Sequence, residues 1–182
     1  MEVYNESYKG HEIEIHIYED YGDFFDNQDV LSKFVCFHRH YALGNDERFI
    51  TPSELKNYIE THKKTVKAFP LYLYDHSGIT ISLSPFSCPW DSGQIGYVLL
   101  ESSDVKKEYG GKRISQKTWD KAINVMKSEV DTYDKVLRGD VYGFIVSDKN
   151  GDHVDSCWGF IGDVDDVVKE AKSIIDYETE KA

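Results

Sequence analysis

From Glu12 to Tyr18 the chain alternates, with Ile13, Ile15 and Ile17 on one side of an extended segment and Glu12, Glu14, His16 and Tyr18 on the other. A carboxylate and an imidazole held a few ångströms apart can do general acid–base work. One group would remove the proton of a ribose 2′-hydroxyl and the other would protonate the departing 5′-oxygen, which cuts RNA without a metal. Glu14 and His16 stand two residues apart on one face, roughly 7 Å along a strand. Val3 to Tyr8 also reads as extended, and Lys9-Gly10-His11 supplies a hairpin loop. A three-residue loop would set Tyr8 opposite Glu12, Glu6 opposite Glu14 and Tyr4 opposite His16. Tyr4, Glu6, Glu12, Glu14 and His16 would then share one polar face and form the candidate catalytic set; a two-residue loop would scramble it. The plain alternative is a solvated strand face carrying one surface histidine.

Two other groups have chemistry-bearing side chains. Cys36, His38 and His40 would share a face if their segment were a strand, and with Asp75, His76, Cys88, Asp91 and Cys157 they offer metal-ligand types. No paired C-x-x-C or H-x-x-x-H spacing accompanies them, so buried cysteines and hydrogen-bonded histidines are the expectation, with no metal and no cofactor. Cys88 activated by His76 would be a nucleophile, but no orienting third group is identifiable. Asp148-Lys149-Asn150-Gly151-Asp152 has the look of a calcium loop, lacks the later bidentate glutamate, and reads as a type I′ turn at Asn150-Gly151.

These residues sit in a chain of 182 residues with a formal charge of −12, 40% hydrophobic and 14% aromatic. That length buries one core, and the composition shows no linker or repeat, so residues 1–182 are expected to form one domain, with 1–18 an N-terminal β-hairpin and 19–182 an α+β body. The negative charge repels phosphate backbones and argues against a conventional DNA binder. Glu19, Asp20, Asp23, Asp26 and Asp29 form an acidic stretch suited to a basic partner surface, whereas Lys106, Lys107, Lys112 and Arg113 form a counter-patch that could touch RNA. The opening Met-Glu-Val-Tyr lacks a basic and apolar leader pattern, and no apolar run nears the roughly 20 residues of a span, so the bacterial cytoplasm is the expected location.

The remaining periodicities predict the scaffold. Thr51-Pro52-Ser53-Glu54 is a capping box that starts a helix. Leu71–Tyr74 and Ile79–Leu83 flank Asp75-His76-Ser77-Gly78 as a hairpin, and a further strand covers Ile95–Leu100. Ser103 is placed to cap a short helix ending near Gly110. Trp119, Ala122, Ile123, Met126, Val130, Tyr133 and Leu137 repeat at helical spacing after Ser115, and Gly139 stops them. Val141–Val146 and His153–Phe160 make another hairpin, and a last helix opens at Asp163, Asp165 and Asp166. The expected fold is α+β: a mostly antiparallel sheet of hairpins with three to four helices on it.

Two dense strings, Leu71 to Gln94 with its Pro-Phe-Ser-Cys-Pro-Trp-Asp-Ser-Gly-Gln, and Gly139 to Phe160 with its Asp-Ser-Cys-Trp-Gly-Phe, carry a family resemblance. The chain resembles small acidic proteins borne by phages and plasmids of Gram-positive bacteria, and among them the anti-CRISPR proteins that act on type II-A Cas9. The resemblance implies a Cas9-dependent truncation of the guide RNA that needs an N-terminal hairpin, with Cas9 and its guide RNA as partners and the chain as a possible ribonuclease. No family catalytic residue maps onto this sequence, so the acid–base assignment rests on the residue chemistry. The alternative is a non-enzymatic acidic decoy that occupies a basic nucleic-acid groove.

Overall fold

The computed structural model describes residues 1–181. Its class is α+β, with an N-terminal hairpin, and the strands divide into two four-stranded antiparallel sheets in place of the one expected. Each sheet belongs to its own compact unit, one made of Met1–Asp23 with Lys135 onward, the other of Phe24–Asp134. No helix among the described residues is long and apolar enough to cross a membrane.

In the first unit the sheet order is β1 (Glu2–Tyr8), β2 (His11–Ile17), β7 (Val141–Ser147) and β8 (His153–Ile161). One face is covered by α5 (Val164–Lys181), whose Val167, Val168, Ala171 and Ile175 meet Ile13, Ile15, Phe144 and Val146 in a dry core. The period of two in β2 and of about 3.6 in α5 therefore bury the same seam. The opposite face of β2 carries Glu12, Glu14 and His16.

The second unit orders its strands β3 (Lys33–Cys36), β6 (Ser92–Glu101), β4 (Val66–Asp75) and β5 (Ile79–Ser82). Its helices are a single turn, α1 (Phe24–Asn27), then α2 (Pro52–Thr61), α3 (Ser102–Tyr109) and most of α4 (Gln116–Arg138). The capping box forms as read: Thr51 Oγ1 accepts from the Glu54 amide while the Glu54 carboxylate accepts from Thr51 N. The α4 stripe buries Ala122, Met126, Val130 and Tyr133, and the Tyr133 ring meets Phe34 edge-on at 5.6 Å. Glu101, at the end of β6, is a hub; Arg48 Nη2, Tyr58 OH and Lys33 Nζ reach its carboxylate at 2.7, 2.9 and 3.0 Å.

Three local readings are corrected. The α3 helix starts at Ser102 behind Glu101, so Ser103 is inside it rather than its cap. The loop between β7 and β8 is not a two-residue type I′ turn, because only Gly151 has positive φ (+83°). Asp148 closes it, its Oδ1 accepting from Asn150 N at 2.8 Å and Asp152 N at 2.9 Å, so that carboxylate serves its own loop. Finally, β3 ends at Cys36, so Cys36, His38 and His40 do not line one strand face.

Candidate functional site

The hairpin register decides which side chains meet. Lys9 and Gly10 both take positive φ (+49° and +79°), which makes a two-residue loop of the primed kind. Tyr8 therefore pairs with His11, Ser7 with Glu12, Glu6 with Ile13, Asn5 with Glu14 and Tyr4 with Ile15. Residues opposite each other share a sheet face, so Tyr4 and Glu6 lie on the α5 side with the isoleucines. This overturns the three-residue loop and splits the expected catalytic set in two. The primed turn won because it matches the right-handed twist of the two strands it joins.

On the α5 side Glu6 is a structural acid. Lys172 Nζ reaches Glu6 Oε1 at 2.5 Å, and Tyr4 OH donates to Glu6 Oε2 at 3.0 Å. The lysine holds the Glu6 carboxyl below its ordinary range, and the glutamate pushes the Tyr4 phenol up. Nearby, Lys9 Nζ and Tyr8 OH bind Asp176 Oδ1 at 2.8 and 3.1 Å. Both contacts pin the hairpin to the helix.

On the open side a bulge at Val3 brings Glu2 opposite His16. Glu14 Oε2 and His16 Nε2 are 3.1 Å apart, with side chains 41% and 21% exposed. One oxygen of Glu2, one of Glu14 and a ring nitrogen of His16 all lie within 4.8 Å of one another, and Asn5 Nδ2 donates to Glu2 Oε1 at 2.9 Å. Glu12 is exposed on the same face, one pair nearer the loop. Two carboxylates and an imidazole are also ligand types for a divalent transition metal, so this trio is where such an ion would sit.

The next strands give the site a wall. His16 pairs with Gly143, and Gly143 with Trp158. A β-carbon at position 143 would lie 2.1 Å from the Trp158 ring, so only glycine lets the indole lie flat across β7. The Trp158 ring comes 6.1 Å from that of His16 and 5.6 Å from that of Tyr18, while remaining 43% exposed. Tyr18 meets Tyr21 edge-on at 6.4 Å. An acid–base cluster thus borders an aromatic row in which Trp158 is exposed and Tyr18 and Tyr21 are half-buried, the combination that splayed single-stranded bases stack on.

The other sequence candidates fall elsewhere. Glu19, Asp20 and Asp23 are exposed in the first unit, and Asp26 and Asp29 are exposed in the second. Lys106 and Lys107 lie on the solvent side of α3, and Lys112 and Arg113 in the exposed loop after it. Cys36 is half-buried, and desolvation pushes its thiol up to about 12, while Cys157 is exposed on β8. The Cys88 thiol donates to Asp91 Oδ2 at 3.5 Å, and His76 Nδ1 lies 3.6 Å from that same oxygen. Glu2, Asn5 and Trp158 were missed as site residues. Glu2 depends on a bulge, which leaves no sequence signal; Gly143 two residues into a strand was the available sign that something large crosses there.

Among known proteins the chain matches no family model, no curated protein and no solved structure.

Proposed function

We propose that the open face of the first sheet contacts single-stranded RNA and cuts it by acid–base chemistry, and that the RNA is the guide held by a type II-A Cas9, so that the chain acts as an anti-CRISPR inhibitor. The observation that carries the reading is the Glu2, Glu14 and His16 cluster beside the exposed Trp158 ring. A flipped base stacks on Trp158 and Tyr18 while its sugar and phosphate lie over His16. The Glu2 carboxylate takes the proton of the 2′-hydroxyl; the freed oxygen attacks the adjacent phosphorus, the P–O5′ bond breaks, and His16 gives a proton to the leaving 5′-oxygen. The products are a 2′,3′-cyclic phosphate and a 5′-hydroxyl. Glu14, bonded to Nε2, orients the imidazole and leaves Nδ1 for the substrate. A shortened guide cannot complete the heteroduplex that licenses target cleavage.

The resemblance supplies Cas9 and its guide as partners; the bacterial cytoplasm follows as the place of action. The test is a denaturing gel of guide RNA after incubation with Cas9 and the protein. Truncation by the wild type, lost in H16A, supports the reading. Full-length guide alongside inhibited Cas9 removes the ribonuclease and favours the decoy, for which the five exposed acids Glu19, Asp20, Asp23, Asp26 and Asp29 are the natural contact. Neutralising those five should then abolish inhibition and flatten its salt dependence.

A further inference from the structure

The second unit has a cavity of its own at the end of its sheet where β3 stops short. It measures about 510 Å³, within the range of sites that take small molecules. Phe37, Leu73 and Ile95 make an apolar floor. At the rim stands Trp90, 91% exposed, although an indole left in water forfeits the burial that usually fixes this residue. Its position is nevertheless set on both sides: Ser92 Oγ donates to the Cys88 carbonyl, and Asp75 N donates to the Asp91 carbonyl at 2.8 Å. The loop is tethered and its aromatic face is free.

The walls carry both charges. Arg39, His40, Asp75 and Asp91 all line it, each exposed. Asp75 is braced: Tyr41 OH donates to its Oδ2 at 3.0 Å, and the Tyr41 ring stacks on His38 at 4.9 Å and 14°. An apolar floor, a free indole, two carboxylates that accept N–H groups, and a guanidinium in the same lining are the parts needed to hold a planar base with amino donors and an anionic tail. Peptides fit less well, since a basic one meets Arg39 and an acidic one meets both aspartates.

We infer that this cavity binds a single ribonucleotide. The base stacks on Trp90 and donates its amino group to Asp75 or Asp91, and the phosphate pairs with Arg39. Guanine, cytosine and adenine have such an amino group and uracil does not, so the site discriminates against uridine nucleotides. The binding needs no chemistry at the first sheet and is separate from the proposed cleavage.

Titration calorimetry of the full chain with GMP, CMP, AMP and UMP tests it. The expected result is saturable binding, with at least one amino-bearing nucleotide about tenfold or more tighter than UMP. W90A should weaken binding by about 5- to 150-fold, the value of one base–aromatic stack. R39A should weaken GMP but not guanosine, whereas H16A should leave every affinity as it was. Trp90 is on the surface, so W90A should keep the wild-type melting temperature. No saturable binding of any nucleotide up to about 1 mM, the outcome expected of a peptide site, overturns the inference, as do affinities that W90A and R39A leave unchanged.

Discussion

The two faces of the first sheet each place a glutamate beside a cationic or protonatable partner, and the two glutamates do different work. On the helix side Glu6 is locked between Lys172 and Tyr4, its carboxyl held below the ordinary range. On the open side Glu14 meets His16 at 3.1 Å, next to Glu2, with both side chains partly exposed. The ion pair on the first face joins hairpin to helix. The pair on the second is reachable by a substrate. One residue of loop length separates these outcomes, because a strand's period is two and each step of register moves a side chain to the other face.

The largest effect should come from setting the two faces against each other by mutation. H16A should lower guide truncation by about 10²- to 10⁴-fold, the usual worth of positioned proton transfer. E2Q should approach it, whereas E6Q should leave the rate near wild type and lower only the melting temperature. Rates and melting curves on the same preparations separate the two roles. Equal loss of cleavage in E6Q and H16A, with both folded, would erase the distinction between the faces.

Next comes the wall of the open face. G143A drives a methyl into the Trp158 ring, and overpacking of this kind costs about 1–3 kcal/mol. Denaturant unfolding should show that loss, and tryptophan fluorescence should report a displaced indole. A metal ion gives a third test. Zn²⁺ seated on Glu2, Glu14 and His16 would take the imidazole out of proton transfer, so added zinc should inhibit truncation several-fold while a chelator leaves it unchanged. Inhibition by the chelator would instead point to metal-assisted chemistry.

The smallest effect concerns the scaffold of the second unit. Burial pushes the Glu101 carboxyl up, but Arg48, Lys33 and Tyr58 more than offset it and hold it at about 2, against an ordinary value of 4.5. A folded value below the unfolded one means that the stabilisation is present above about pH 4.5 and fades as pH falls toward 2. Melting temperature should therefore drop more steeply across that window in the wild type than in E101Q.

What the sequence made legible follows from which patterns have a period. The α2 cap, the α4 stripe and the alternation of β2 are local and strong, and each is found where it was read. Glu14 and His16 as one-face neighbours follow from the same alternation. The partner strand was not legible, since Lys9-Gly10-His11 allows two loop lengths and both leave β1 extended. Nor was the split into two sheets, because strand spacing along the chain does not say which hairpins pair with which. Asp148 is a further case: Asn-Gly suggests a two-residue turn, but an aspartate that can accept two backbone amides closes a longer one.

The most direct measurement is the chemistry of the cut ends. Guide RNA truncated in the presence of Cas9 and the wild-type chain should carry a 2′,3′-cyclic phosphate and a new 5′-hydroxyl, and a 2′-deoxy substitution at the cut site should block the reaction. A 3′-hydroxyl with a 5′-phosphate, or undiminished cutting of the 2′-deoxy guide, would contradict proton transfer by His16 and Glu2.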